Sequence, residues 1–253
     1  LVIDVSDPAE PSLVDSVVEN KVMGIDYDGT YVYCASASGL VIVDPDGSDG
    51  AYVVTTVGFE NALDVCVVED WAYVTNKGTE LLPVNISDPE NPSAYPSVAS
   101  GNYGYGLCEQ GGYLYVSTWD HPIVFDISDP SAPTQIISFG GAQSHDVLAM
   151  GNRLYIPYWD PRKLTVYDIL DPTNPQFLGE WTSDSGYWGS GVVAFNGYMY
   201  FGTNYWGIEV LDVTNPDEIT EVGQLATNGP DGMDTDGVFI YSAENEHGLK
   251  VIL

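Results

Sequence analysis

Positive charge is scarce in this chain. Six Lys and Arg stand against 37 Asp and Glu over 253 residues, a formal net charge of −31. A surface this negative repels phosphate backbones and anionic headgroups, which argues against nucleic acid and against charge-driven membrane binding, and leaves cations or other proteins as partners. With 24 Asp and 13 Glu, the composition suits either high salt, where excess charge is screened, or an extracellular setting. Long apolar runs are missing too. Gly39–Val43 and Ile136–Phe139 fall far short of the ~20 residues that cross a bilayer, so no transmembrane helix is expected in this stretch. No signal peptide opens it either. Because Leu1 begins mid-pattern and Leu253 ends inside an apolar run, the expectation is a fragment of a longer precursor. Cysteine is sparse: Cys34, Cys66 and Cys108 form no CxxC and each sits in an alternating apolar segment. They read as buried thiols rather than as disulfide or metal ligands. No GxSxG, HExxH, Walker A or GxGxxG occurs, so no reaction is indicated and a non-enzymatic role is favoured. With 44% hydrophobic and 12% aromatic residues, the chain nevertheless has ample material for a core, and disorder is ruled out.

What is abundant is repetition. The segment Leu40-Val-Ile-Val-Asp44 recurs around Asp4, Asn85, Asp126, Asp168 and Asp212, with a last copy at Leu249–Leu253 near residue 253. A punctuating turn follows most copies: Ser6-Asp-Pro, Ser87-Asp-Pro, Ser128-Asp-Pro and Leu170-Asp-Pro, generally with a second Pro three residues on. Asp there can accept a backbone N–H two residues on while Pro presets φ, so the chain reverses without spending a strand donor. About twelve residues before each anchor lies a Tyr strand, such as Tyr31-Val-Tyr33 and Tyr113-Leu-Tyr115. Before that comes a Gly- or Asp-led strand (Gly24, Asp64, Gly106, Asp146, Gly191, Gly232), and a fourth strand follows the proline turn, as at Leu13–Val18 and Tyr52–Val57. Four short strands per ~41 residues, with no helical stretch, is the size and punctuation of a β-propeller blade; a TIM barrel or Rossmann fold lacks its helices here.

These residues resemble the LVIVD-repeat family, whose name is spelled at Leu40–Asp44. The resemblance implies an all-β propeller of four-stranded antiparallel blades on an exported or cell-surface protein, and carries no common activity or catalytic residues. The chain departs from the pattern at Asn85, at Asn215-Pro-Asp-Glu and at Asp44–Gly50. One propeller domain is expected over residues 1–253. Six blades are favoured, with Ser12–Val18 completing the blade begun at Asp231 and Leu1–Asp4 left spare; seven is the alternative.

Naming the strands A to D from the axis outward, the D–A connections and B–C loops share one face. On it fall Tyr105, His145, Asp146 and Trp188 from the D–A side, and Trp119, Asp120, His121, Tyr158, Trp159, Tyr205, Trp206 and His247 from the B–C side. Trp and Tyr among scattered carboxylates suit a glycan or a protein hot spot, and this face is expected to bind the ligand. Structural packing of the same side chains is the competing reading. An enzyme, a glycan-active hydrolase or lyase, would draw its acid and base from His145, Asp146, Asp64 or His121; a structural spacer would bind nothing. Asp44-Pro-Asp46-Gly-Ser-Asp49-Gly partly matches a calcium loop, though its Gly is one position late and the distal Glu is missing. Asp44, Asp46, Asp49 and Asp64 are the candidate metal ligands, and Ca²⁺ is the one cofactor suggested.

Overall fold

Strand A begins each repeat, and in a computed structural model that describes residues 1–17, 21–78, 80–141, 143–184, 189–203, 206–244 and 247–252 the repeat resolves into antiparallel sheets of order A-B-C-D. A hairpin comes first: β1 (Val2–Asp4) and β2 (Ser12–Asp15). Blade 1 is β3 (Val22–Tyr27), β4 (Val32–Ser36), β5 (Gly39–Asp44) and β6 (Tyr52–Gly58). Blade 2 is β7 (Ala62–Val68), β8 (Trp71–Asn76) and β9 (Glu80–Asn85), with strand D split into β10 (Ser93–Ala94) and β11 (Val98–Ala99). Blade 3 is β12 (Gly104–Gln110), β13 (Tyr113–Thr118), β14 (Ile123–Asp126) and β15 (Thr134–Ser138). In blade 4, strand A is split into β16 (Gln143–Ser144) and β17 (Leu148–Met150), followed by β18 (Arg153–Asp160), β19 (Lys163–Asp168) and β20 (Gln176–Thr182). Blade 5 is β21 (Gly189–Phe195), β22 (Tyr198–Thr203), β23 (Gly207–Asp212) and β24 (Thr220–Leu225), with a single 3-10 turn at Pro216–Glu218. Blade 6 is β25 (Gly232–Thr235), β26 (Ile240–Ala243) and β27 (Leu249–Ile252). Six such sheets make the fold a β-propeller, as the repeat predicts.

By contact the chain divides into two units, Leu1–Thr118 with Phe125–Ile136, and Trp119–Val124 with Ile137–Leu253. In the first, the faces of blades 1 and 2 meet: Tyr33, Ala35, Leu40 and Ile42 bury against Ala62, Val65, Val74 and Val84. In the second, Tyr155, Leu164 and Val166 of blade 4 pack on Val192, Met199, Phe201 and Leu211 of blade 5. Strands B and C are therefore buried almost continuously, as in β5, rather than alternating, because a blade has a neighbour on each face. Strand D alternates, as in β24. Cys34 is buried and no disulfide joins the three cysteines.

The turns follow the sequence chemistry. Each anchor accepts the amide two residues on, at 2.8 Å for Asp4, 2.9 Å for Asp44, 2.7 Å for Asp126, 2.8 Å for Asp168 and 2.9 Å for Asp212. Asn85 does the same at 3.3 Å, which is why the amide tolerates the anchor position. The Asp of each Asp-Pro pair makes a second such turn, as Asp88 does for Glu90 N and Asp171 for Thr173 N.

One expectation is corrected. Ser12–Asp15 pairs with Val2–Asp4, in the register Ile3↔Leu13 and Asp4↔Ser12, so Leu1–Asp4 is not spare, and the last sheet has the order β25-β26-β27. A strand joined by one tight turn reaches its partner at a far lower loop-closure cost than one at the other end of the chain.

Candidate ligand-binding site

The loop ends of blades 3 and 4 gather several of the expected residues. Phe139 N donates to Pro122 O at 3.1 Å, which lays the Trp119-Asp120-His121 loop beside the end of strand D. Gly140, at φ +67°, then carries the chain over the Tyr158 hydroxyl; a Cβ there would lie 2.9 Å from that oxygen, so only glycine fits. Tyr158 is buried, and burial pushes its hydroxyl well above the ordinary phenol range. Lys163 Nζ stands 5.4 Å from the Tyr158 ring and pairs with Glu180 at 2.7 Å. Trp119 and Trp206 are 45% and 44% exposed. Asp120, His121 and His247 are exposed as well. Trp206 and His247 stand on the B–C loops of blades 5 and 6. Trp188 and Tyr205 lie outside the described residues.

His145 is held more tightly than an exposed ligand contact would be. Its ring packs edge-on against Trp159, with centroids 4.0 Å apart. The Gln143 side-chain amide lies 3.0 Å from His145 Nε2 and holds the ring in place. Burial lowers its pKa to about 4, which makes it a weak base at neutral pH.

Asp146 and Asp64 are tied into the fold. Asp146 accepts from Val147 N at 2.8 Å and, across to blade 5, from Val192 N at 2.9 Å. Asp64 accepts from Leu107 N of blade 3 at 3.0 Å, and Asp26 from Val67 N of blade 2 at 2.7 Å. The rule is the same in all three: the carboxylate on strand A of one blade takes the amide one position further along in strand A of the next. These are inter-blade clamps, charge-assisted and partly shielded. Burial raises the Asp146 pKa to about 6 against the lowering pull of the two amides. At Gly24 the neighbouring clamp requires glycine, because a Cβ there would fall against Asp64 Oδ1 and 2.8 Å from its Cα. Tyr105 is half-buried in β12, and its carbonyl accepts from Thr75 Oγ1 at 3.0 Å.

Of the remaining candidate ligands, Asp44 Oδ1 caps Asp46 N, while Asp46 and Asp49 are exposed. Among the described residues, no three His, Cys, Asp or Glu side chains come together to hold a metal ion.

Glu209 carries a signal that the repeat comparison passes over. It stands three residues before its anchor Asp212, where Val41 and Ile123 stand in blades 1 and 3, and it is 2% exposed. Ser183 Oγ donates to its Oε1 at 2.8 Å, and Oε2 has no hydrogen-bond partner among the described residues. Burial, with added repulsion from Glu221 and Asp184, raises its pKa to about 7 against the pull of Ser183.

A protein from Bacteroides uniformis, described as a candidate 6-phosphogluconolactonase, superposes with a TM-score of 0.83 at 15% identity, covering 95% of this chain and 83% of its own. A Lactobacillus plantarum protein superposes at 0.81 with 14% identity, covering 99% and 89%. Hydrazine synthase from Kuenenia stuttgartiensis superposes at 0.70 with 15% identity, covering 94% and 79%. These likenesses are of fold. The LVIVD repeat model matches residues 1–19, 20–53, 60–100, 109–140 and 141–183, and the chain belongs to the LVIVD-repeat family. No curated protein matches the sequence.

Proposed function

We propose that the protein is a non-enzymatic binding or scaffold propeller of the cell surface or extracellular space, which recognises a glycan, a protein or a cation through the loops at the B–C and D–A ends of its blades. The observation that carries the reading is the exposure of Trp119 and Trp206 on those loops, each an apolar ring with a polar edge on a rigid sheet scaffold. The family's association with surface proteins supports the location, and no helix among the described residues is long and apolar enough to cross a membrane. The weakly basic His145 and the clamped Asp146 support binding over acid–base chemistry. The test is a screen of immobilised glycans and surface-protein fragments with wild type, Trp119→Ala and Trp206→Ala. Binding that falls roughly ten-fold in either variant, with an unchanged thermal midpoint, supports the reading. Tight binding that both variants retain in full refutes it.

A further inference from the structure

A second surface lies at the opposite ends of the strands, and we propose that it binds an arginine-bearing segment of a partner protein. It is a groove of about 420 Å³ between the A–B turns of blades 2 and 3, closed on one side by the C–D turn of blade 3. Three rings line it, Trp71, Tyr73 and Tyr113, and so do three acids, Glu69, Glu109 and Asp126. No Lys or Arg does.

The groove is built rather than incidental. Trp71 leans on Tyr95 with centroids 5.1 Å apart, which fixes the indole. Glu109 Oε1 takes Gly112 N and Asp126 Oδ1 takes Ser128 N, both at 2.7 Å. Backbone amides thus orient both carboxylates at the wall of the groove. The Tyr73 hydroxyl donates to Pro130 O at 3.3 Å and anchors the far wall. Gly111 and Gly112 make the blade 3 turn with φ +65° and +84°, and a Cβ on either would meet nothing within 4 Å. A turn of two glycines carries no side chain over the groove, so it stays open.

The lining selects the ligand class. Three carboxylates without a cation repel an anion. A neutral sugar would use the rings and the acceptors but gain nothing from the charges. A guanidinium uses everything present: its plane lies on an aromatic face and its forked donors match carboxylate oxygens. The volume exceeds one side chain, so the occupant is a peptide segment with arginine at its centre. This surface is separate from the loops of the proposed function, and either could fail without the other.

The probe is a fluorescein-labelled peptide of alternating glycine and arginine, compared with the same peptide carrying citrulline, which keeps the shape and loses the charge. Affinity is read by fluorescence anisotropy over a range of salt. The expected result is that wild type prefers arginine to citrulline, that Trp71→Ala weakens arginine binding about 5- to 30-fold although it changes no charge, and that Glu69→Gln weakens it a few-fold. Trp206→Ala should leave it unchanged. Trp71→Phe keeps a ring and separates lost recognition from lost folding, and Glu69, which is exposed, can be altered without disturbing the core. If wild type, Trp71→Ala and Glu69→Gln bind alike, with affinity following ionic strength alone, the peptide is attracted only to the general negative charge and the proposal fails. Equal binding of arginine and citrulline peptides, or no binding, also overturns it.

Discussion

Replacing Glu209 by Gln should stabilise the protein, and increasingly so as the pH rises above about 4.5. In the unfolded chain the carboxyl titrates near 4.5, and in the fold near 7. Ionising it in place is therefore costlier by about 3 kcal/mol than ionising it in water. Part of that comes from Glu221 and Asp184, which are exposed and so screened by salt; we expect about 2 kcal/mol at physiological ionic strength. Below pH 4.5 the acid is neutral in both states and no penalty exists. As pH rises from 4.5 to about 7 the unfolded chain gives up its proton while the fold keeps it, so stability falls; above 7 the full penalty applies. Gln keeps an acceptor for Ser183 Oγ and carries no charge. Urea unfolding followed by tryptophan fluorescence should show Glu209→Gln level with wild type at pH 4 and about 2 kcal/mol more stable at pH 8, or roughly 4–8 °C in midpoint. The other carboxylates are common to both proteins, so the difference isolates this one. A difference that is flat in pH, or a Gln variant less stable at pH 8, would mean that Oε2 is satisfied in solution and that the reasoning is wrong.

Two further outcomes test the clamps. Gly24→Ala places a methyl against Asp64 Oδ1 and close to its backbone, and should cost about 2 kcal/mol by overpacking; Gly232→Ala meets nothing within 4 Å at an ordinary φ and should be neutral or stabilising by up to about 1 kcal/mol, both read from thermal midpoints. Asp64→Ala leaves Leu107 N without its acceptor and should cost about 1–3 kcal/mol, equally in calcium and in chelator. A loss seen only in calcium would instead make Asp64 a metal ligand.

Blade order and turns were legible because they are local. The period of the anchors, the Asp-Pro turn and the Tyr strand all act within a few residues, so their chemistry can be worked out from spacing alone. The clamps were not, since the amide that an Asp faces depends on the register of another blade: Asp26 and Val67 are 41 residues apart, Asp64 and Leu107 43, Asp146 and Val192 46. In the sequence, Asp64 therefore reads as a metal ligand and Asp146 as a ligand-binding residue, and Asp26 carries no signal. The hairpin of β1 and β2 was misassigned for a related reason. Two segments of the same pattern, Leu1–Asp4 and Leu249–Leu253, were equal candidates to pair with Ser12–Asp15, and pattern cannot rank them. The groove at Trp71 escaped because its signal is an absence, the paired glycines Gly111 and Gly112, on the face where no ligand was expected.

The excess of Asp over Glu then acquires a second cause. Nine aspartates, at 4, 7, 44, 88, 126, 129, 168, 171 and 212, accept the amide two residues on. Asp28 and Asp236 each take two amides and a Tyr hydroxyl at the A–B turn, and Asp26, Asp64 and Asp146 clamp blades. In the local turns one methylene sets the reach of the bond, and Glu, with two, cannot close the same short ring. Eleven of the 24 Asp in the chain thus serve turns of this kind before salinity or compartment is considered. The acidity that argues against nucleic acid and lipid partners is in large part a by-product of how this repeat makes its turns. In the groove the two roles coincide, because Glu109 and Asp126 hold backbone amides of their turns and also line the surface between blades 2 and 3.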